Sequence, residues 1–502
     1  MQRAGAAAAG EIALRYRDRL EGFVLVLAGP GNNGGDAWVV ARALATAGAH
    51  VRVVEPIAAK TPDALAERSL AVDAIAESDI ETASLRDSLD RGEAVVVDGL
   101  LGTGGSGEPR GDLARALALL EPMRARGATI VALDVPSGLD VSTGAARGAV
   151  RADLTLTFGT IKRGHLINRD LCGAIVVIDI GLGAHALLRD GAPLLIDEAW
   201  VGAKLPEIAA SAHKGARKKI AIVGGGKGMA GAAMLAARAA LRSGVGMVKL
   251  VISPESLAPV QQSEPYALAA VWPSDDAAVD RDIGGWADAV VIGPGLGRDD
   301  ESRALLERVL RRWKGPTVLD ADALTLFEGH AAALAEHLAG RPVLITPHPV
   351  EFARLAGVDV SDVLTRRFDV GREMAATLGE RAAVLLKGVP TVVSGASGEG
   401  QCLVSANGTP ALATAGSGDV LSGIAGTMLA QLEDPLIAGA IAAWVHGRAA
   451  ERVPSASPTD GGVRGIALED VVNELRDSWT FDARPMRYPV LAELPAAGEG
   501  AR

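Results

Sequence analysis

The sequence predicts an α/β protein of two successive doubly wound units, each a parallel sheet with helices on its faces. Three observations carry that expectation. Short apolar runs alternate with helical stretches along most of the chain, the pattern of a parallel sheet. Several runs end in glycine-rich or acidic loops, and ligands of open α/β sheets bind at such strand ends. The alternation lapses over roughly residues 181–212, a mixed region with Pro193 and Pro206, and then restarts, which marks a junction between units.

Residues 1–22 read as a helix with alanines on one side and Arg15, Arg17 and Arg19 on the other. Phe23 to Ala28 is a continuous apolar run, a buried strand by its length. It leads into Gly29-Pro30-Gly31-Asn32-Asn33-Gly34-Gly35-Asp36 and a helix to about Ala47. Further strands are expected at His50 to Glu55, Ala94 to Asp98, Thr129 to Asp134, Leu154 to Phe158 and Ile175 to Ile180. Beyond the junction they recur at Lys219 to Val223, Val248 to Ile252, Ala289 to Ile292, Thr317 to Leu319, Val343 to Ile345 and Val384 to Leu386. An alanine-rich helix is expected from about Gly231. These elements divide the chain into domains at residues 1–185 and 195–480. Residues 481–502 hold three prolines and no periodicity and are expected to form a poorly ordered tail.

Hydrophobic residues make up 49% of the chain and charged residues 22%, as in packed globular proteins. The net charge is −11 and no basic run stands out, which argues against nucleic acid or an anionic membrane as a partner. No uninterrupted apolar run is long enough to span a bilayer, and no secretory signal opens the chain. Cys172 and Cys402 are the only cysteines, so neither a disulfide framework nor a cysteine metal site is available. A cytoplasmic protein is expected. Ten of the 50 basic residues are lysines, so a lysine in a glycine-rich motif is selected for its chemistry.

Two constellations carry that chemistry. In the first unit, Gly29 to Gly34 fits G-x-G-x-x-G between strand and helix, with Glu55 ending the next strand. On pattern alone a dinucleotide-dependent dehydrogenase is a candidate. Asn33, Asp98 and Ser137 are oxygen donors on three such loops and could converge on a cation. In the second unit, Gly416-Ser417-Gly418-Asp419 precedes an apolar helical run. A helix starting there aims unpaired N–H groups and a positive dipole end at one spot, where bare glycines admit an anion. Asp419 is placed beside that spot to take a proton from a hydroxyl, the equipment for phosphoryl transfer to an alcohol. The same dipole is expected to lower its basicity.

The motifs GPGNNGGD, DGLLGTG, DVPSGLD and Thr157-Phe158-Gly159-Thr160-Ile161-Lys162-Arg163-Gly164, in this order, resemble the NAD(P)H-hydrate epimerase domain. The resemblance implies a Rossmann-like first domain that binds hydrated NADH or NADPH. Its binding residues would be Asn32, Asn33, Gly34, Gly35, Asp36, Gly102, Thr103, Gly104, Gly105, Ser106, Gly107, Glu108 and Asp134. It implies K+ held by Asn33, Asp98 and Ser137, with Asp134 as the acid–base residue. Ala37 stands where that family usually has glycine, and a longer segment usually precedes its first helix, which is therefore expected to be incomplete here. In the second unit, His213-Lys214-Gly215, Gly228 to Ala232, Gly293-Pro294-Gly295-Leu296-Gly297, Thr346-Pro347-His348-Pro349, Lys387 to Thr391 and the GSGD turn resemble the ADP-dependent NAD(P)H-hydrate dehydratases. That family implies a ribokinase-like α/β domain in which Lys387, Gly388, Val389, Pro390, Thr391 and Gly418 bind the nucleotide. Ala232, Gly295, Gly297 and His348 would contact the hydrate, and Asp419 would be the base, with ADP as donor and Mg2+ beside it. Val350 replaces the family's usual glycine. The two domains joined in this order resemble bifunctional hydrate-repair enzymes, which implies small-molecule substrates and a homo-oligomer. A sugar or vitamin kinase with an accessory domain, or a non-catalytic interaction domain at the N-terminus, are the competing expectations.

Overall fold

The computed structural model describes residues 1–75, 80–81, 93–105, 107–182, 191–338, 340–396, 402–454, 463–481 and 486–497. The chain divides into two compact units, Met1–Leu188 with Arg484–Ala497, and Arg189–Ala483 with Gly498–Arg502.

The first unit is built on β1 (Phe23–Ala28), β2 (His50–Val54), β3 (Ile80–Glu81), β4 (Glu93–Gly99), β5 (Thr129–Leu133), β6 (Leu154–Phe158) and β7 (Ala174–Ile178). Their order is β7-β6-β5-β4-β1-β2-β3, all parallel, so the direction of winding reverses between β1 and β4. Period-two alternation explains how one apolar strand serves two layers. Val24, Val26, Val95 and Val97 face Trp38, Leu44 and Ile12, while Leu25, Leu27 and Val96 face Leu117, Leu120 and Met123.

The second unit comprises β8 (Leu194–Leu195), β9 (Lys219–Val223), β10 (Met247–Ile252), β11 (Ala267–Val271), β12 (Ala289–Ile292), β13 (Thr317–Leu319), β14 (Val343–Ile345), β15 (Ala382–Leu386), β16 (Thr391–Gly395) and β17 (Cys402–Ser405). The sheet order is β11-β10-β9-β12-β13-β14-β15-β16-β17-β8. One face packs on Ala236, Ile424, Met428, Ile441 and Trp444, the other on Leu306, Leu310, Phe327, Phe352 and Leu378.

The α/β expectation holds, with three corrections. β3, β8, β11, β16 and β17 are additional strands, and β15, β16 and β17 pair antiparallel, so the second sheet is mixed. β11 is a half-exposed edge strand, which lacks the apolar continuity that reveals central strands. The third correction concerns the tail: β18 (Val490–Leu494) pairs antiparallel with β7 and closes that edge of the first sheet. Arg15 makes a two-pronged contact with Glu493 at 2.9 and 2.8 Å, and Arg169 donates to the Pro495 carbonyl. Partners distant in sequence order this segment, and its own composition carries no trace of them. Among the described residues no helix is long and apolar enough to cross a membrane.

Candidate active sites

In the first unit the loops after β1, β4 and β5 meet at the carboxyl ends of the strands, beside the reversal between β1 and β4, where ligands of doubly wound sheets bind. The helix Asn32–Thr46 begins inside the glycine loop. A Cβ on Gly34 would overlap the Gly29 carbonyl, so this glycine permits the strand to turn tightly into the helix. Asn33 donates to the carbonyls of Leu101 and Leu133 at 2.9 and 3.0 Å, which joins all three loops. Its Oδ1 is buried without a partner. Ser137 donates through Oγ to Asp98 Oδ1 at 2.6 Å and through its backbone N–H to Oδ2 at 2.8 Å. Burial pushes the Asp98 carboxyl up, against these hydrogen bonds.

Asp134 adopts a φ of +63° directly after β5, a conformation that aspartate tolerates better than most residues. Lys162 donates to Asp134 Oδ1 at 2.5 Å, to Thr157 Oγ1 at 2.6 Å and to the Phe158 carbonyl at 3.1 Å. The other carboxylate oxygen accepts from the Thr103 N–H at 3.3 Å. Burial lowers the Lys162 pKa, while Asp134 opposes that shift. Asp36 has a buried Oδ1 without a partner, and burial, with Asp134 and Glu67 adding to it against the chain's amino group, raises its pKa to about 7.

In the second unit Gly416, with a φ of +89°, caps the helix Ser417–Leu432. Lys387 follows β15 and reaches the first turn of that helix. A Cβ on Gly418 would lie 3.2 Å from Lys387 Nζ, so only glycine leaves the ammonium and the helix end free to meet one ligand. Lys387 donates to Asp320 Oδ1 at 2.8 Å and lies 3.7 Å from Glu351. Asp322 accepts from the Gly297 N–H at 3.0 Å and from Arg298 at 2.7 Å, which ties the Gly293–Gly297 loop to the end of β13. Between the two aspartates Ala321 has a φ of +48°, a strained state for alanine that costs on the order of 1–3 kcal/mol. Ala232 lies against Gly295. His348 caps the helix Pro349–Ala356 through Nδ1, and Glu351 returns the bond to the His348 N–H at 2.8 Å. Burial leads the fall in the His348 pKa. Burial also dominates at Asp419, whose pKa rises to about 7 with the charge of Asp320 adding and that of Lys387 opposing.

Residues 1–164 match the family model described as YjeF-related protein N-terminus, and residues 220–469 match the one described as NAD(P)H-hydrate dehydratase. Over 484 residues the chain is 37% identical to the bifunctional NAD(P)H-hydrate repair enzyme of Thermanaerovibrio acidaminovorans, covering 92% of this chain and 91% of the relative. The chain belongs to the bifunctional NAD(P)H-hydrate repair enzymes. The Escherichia coli member is 34% identical, with 90% of this chain and 84% of the relative covered. An ADP/ATP-dependent NAD(P)H-hydrate dehydratase from Bacillus subtilis, co-crystallised with ATP/Mg2+, is 31% identical with a TM-score of 0.49, covering 57% of this chain and 98% of that one. The first unit is the epimerase half of a bifunctional repair enzyme and the second its dehydratase half.

Within the epimerase half, Asn33, Asp98, Ser137 and Asp134 come together as the motifs anticipate, and Ser106 lies outside the described residues. The dehydrogenase pattern fails on Glu55. Its carboxylate is buried and taken by Arg68, at 3.0 and 2.9 Å, and by the Ala59 N–H at 3.1 Å. It is therefore a structural anchor, buried and paired with Arg68. In the dehydratase half the expected lowering of Asp419 basicity is overturned, because burial first, and then neighbouring carboxylates, raise its pKa. Lys162, Asp320, Asp322 and Arg367 escaped the motif reading as site residues. Arg367, itself buried, donates to the Pro390 carbonyl at 2.8 Å and supports the Lys387–Thr391 loop. Asp320 had a visible signal, since it ends a strand as Asp98 and Asp134 do. Arg367 had none.

Proposed function

We propose that Asp419 is the general base of the dehydratase half and that Asp134, paired with Lys162, is the acid–base group of the epimerase half. The observation that carries the first assignment is the meeting of Asp419, Lys387 and Gly418 at one helix end. The hydroxyl of the S hydrate attacks the terminal phosphorus of ADP, its proton passes to Asp419, and the bridging P–O bond breaks to release AMP. Ring electrons then expel phosphate from carbon, a neighbouring C–H gives up its proton, and NADH or NADPH is restored. A base with a pKa near 7 suits proton removal at neutral pH. Lys387 to Thr391 and Gly418 bind the nucleotide, while Ala232, Gly295, Gly297 and His348 line the hydrate's side. Mg2+ would accompany the nucleotide and offset the charge of its phosphates.

In the epimerase half, Asp134 exchanges a proton with the hydrate's hydroxyl as water leaves and returns on the opposite ring face. Lys162 holds the carboxylate in place through its hydrogen bond to Oδ1. K+ fits Asn33, Asp98 and Ser137 on two grounds. Asn33 Oδ1 is an orphaned acceptor, and the buried Asp98 carboxyl has hydrogen bonds but, among the described residues, no countercharge acting on it. The test is to incubate the protein with mixed hydrate epimers and ADP or ATP while following the return of reduced-nicotinamide absorbance. Full consumption of both epimers with stoichiometric AMP supports the reading with ADP. Nucleotide turnover without hydrate would sink it in favour of another kinase reaction.

A further inference from the structure

One buried carboxylate of the dehydratase half has no part in the steps above. Asp320 follows β13 and is 1% exposed. Its oxygens are divided between two elements: Oδ1 accepts from Lys387 at 2.8 Å, and Oδ2 accepts from Ser422, in the second turn of the Ser417–Leu432 helix, at 2.5 Å. Lys387 thereby stands before the first turn of that helix, 3.2 Å from a Cβ on Gly418. An ammonium and the positive end of a helix repel one another, so Lys387 would not take this place unaided. The charge-assisted hydrogen bond that Lys387 donates to Asp320 offsets the repulsion, and Ser422 fixes the carboxylate from the helix itself. A second acid, Glu351, is 3.7 Å from Lys387, beyond hydrogen-bond reach, which leaves ammonium donors for a ligand. The strained Ala321 backbone turns Asp320 and Asp322 to different partners, Lys387 for one and the Gly293–Gly297 loop for the other.

We propose that Asp320 is a positioning residue of the dehydration reaction: it holds the Lys387 ammonium at the mouth of the Gly416–Asp419 turn, where the phosphoryl group in transit gathers negative charge. This rests on the phosphoryl-transfer reading of the site. The charged groups acting on Asp419 are Asp320 after β13, Lys387 after β15, Asp322 in the helix Asp322–Thr325 and Glu351 in the helix Pro349–Ala356. Asp320 raises the proton affinity of Asp419 and Lys387 lowers it. Loss of the Asp320 charge therefore moves Asp419 ionisation to lower pH.

The experiment uses the full chain and Asp320→Asn. A misplaced reacting group costs about 10²-fold, so kcat for ADP-dependent dehydration should fall by about that factor while KM for ADP changes by less than about threefold. The acidic limb of the kcat–pH profile should move down by about one unit. A kcat near wild type overturns the proposal, and so does a slow variant whose limb has not moved, because a purely structural defect has no reason to move it. Asparagine leaves Lys387 half-buried without its hydrogen-bonded carboxylate, which can prevent folding. A second comparison sets Lys387→Met against Lys387→Met/Asp320→Asn, and the double variant removes both charges of the pair. If Asp320 acts through Lys387, the two variants should agree within about threefold. A further loss of about 10²-fold in the double variant overturns the proposal. Asp419→Asn separates the two ideas: activity retained there defeats the base assignment, whereas the Lys387–Asp320 comparison is read independently of it.

Discussion

Replacing Asp419 by asparagine should slow dehydration and stabilise the dehydratase half in the same molecule. Burial first, then the charge of Asp320, with those of Asp322 and Glu351 behind it and Lys387 opposing, lifts the Asp419 pKa from 3.8 to about 7. A folded pKa above the unfolded one means that the folded state holds the proton more tightly. Between pH 3.8 and about 7 the unfolded chain has released this proton and the folded chain keeps it. Stability therefore falls as pH rises through that window and levels off above it. A gap of about three pKa units corresponds to at most about 4 kcal/mol. Asparagine does not ionise, so the variant is spared this loss. At pH 8 it should melt above wild type by on the order of 5–10 °C, and at pH 4 the two should coincide. Its dehydration rate should be lower by ~10²–10⁴-fold throughout. The assay is thermal unfolding between pH 4 and 8, following the transition that ADP displaces, beside the absorbance assay for reduced nicotinamide. A melting difference that does not change with pH would refute the buried, raised carboxylate. Dehydration at the wild-type rate would remove Asp419 from the mechanism.

Lys162→Met should lower epimerisation by about 10²-fold and leave dehydration of the pure S epimer unchanged; consumption of the R epimer at the wild-type rate would show that Asp134 needs no lysine. Asn33→Ala should abolish the dependence of epimerisation on K+, measured against a bulky organic cation at equal ionic strength, and a persistent K+ response would place the ion elsewhere. Deleting residues 486–502 removes β18 and its contacts from Glu493 to Arg15 and from Pro495 to Arg169. The epimerase half should then melt several degrees lower, at roughly 2–4 °C per kcal/mol lost, with no change in the transition that ADP displaces. An unchanged first transition would mean that the closing strand carries no stability.

Much of the molecule was legible in the sequence because its signals are local. A central parallel strand is buried on both faces, so Phe23–Ala28 and Ala289–Ile292 had to be continuous apolar runs. Gly34 had to be glycine because the Gly29 carbonyl occupies the space of a side chain, and at Gly418 a Cβ would crowd the Lys387 ammonium at 3.2 Å. Edge strands escaped notice for the complementary reason: β11 is half exposed, and β18 consists of residues whose order comes from β7.

The sequence by itself determined the two α/β units, the glycine turns and the cluster of Asn33, Asp98, Ser137 and Asp134, since each is written in contiguous residues at strand ends. Only the tertiary structure decided what the charges do. Glu55 looks like a ribose ligand until Arg68 is seen to occupy it. Asp419 looks like an acid weakened as a base by its helix end until burial and Asp320 are seen to raise its pKa. Asp320 looks like an ordinary strand-end residue until it is found holding Lys387 across 67 residues of chain. A charge takes its properties from depth and from neighbours within a few ångströms, whereas sequence order records only neighbours along the chain.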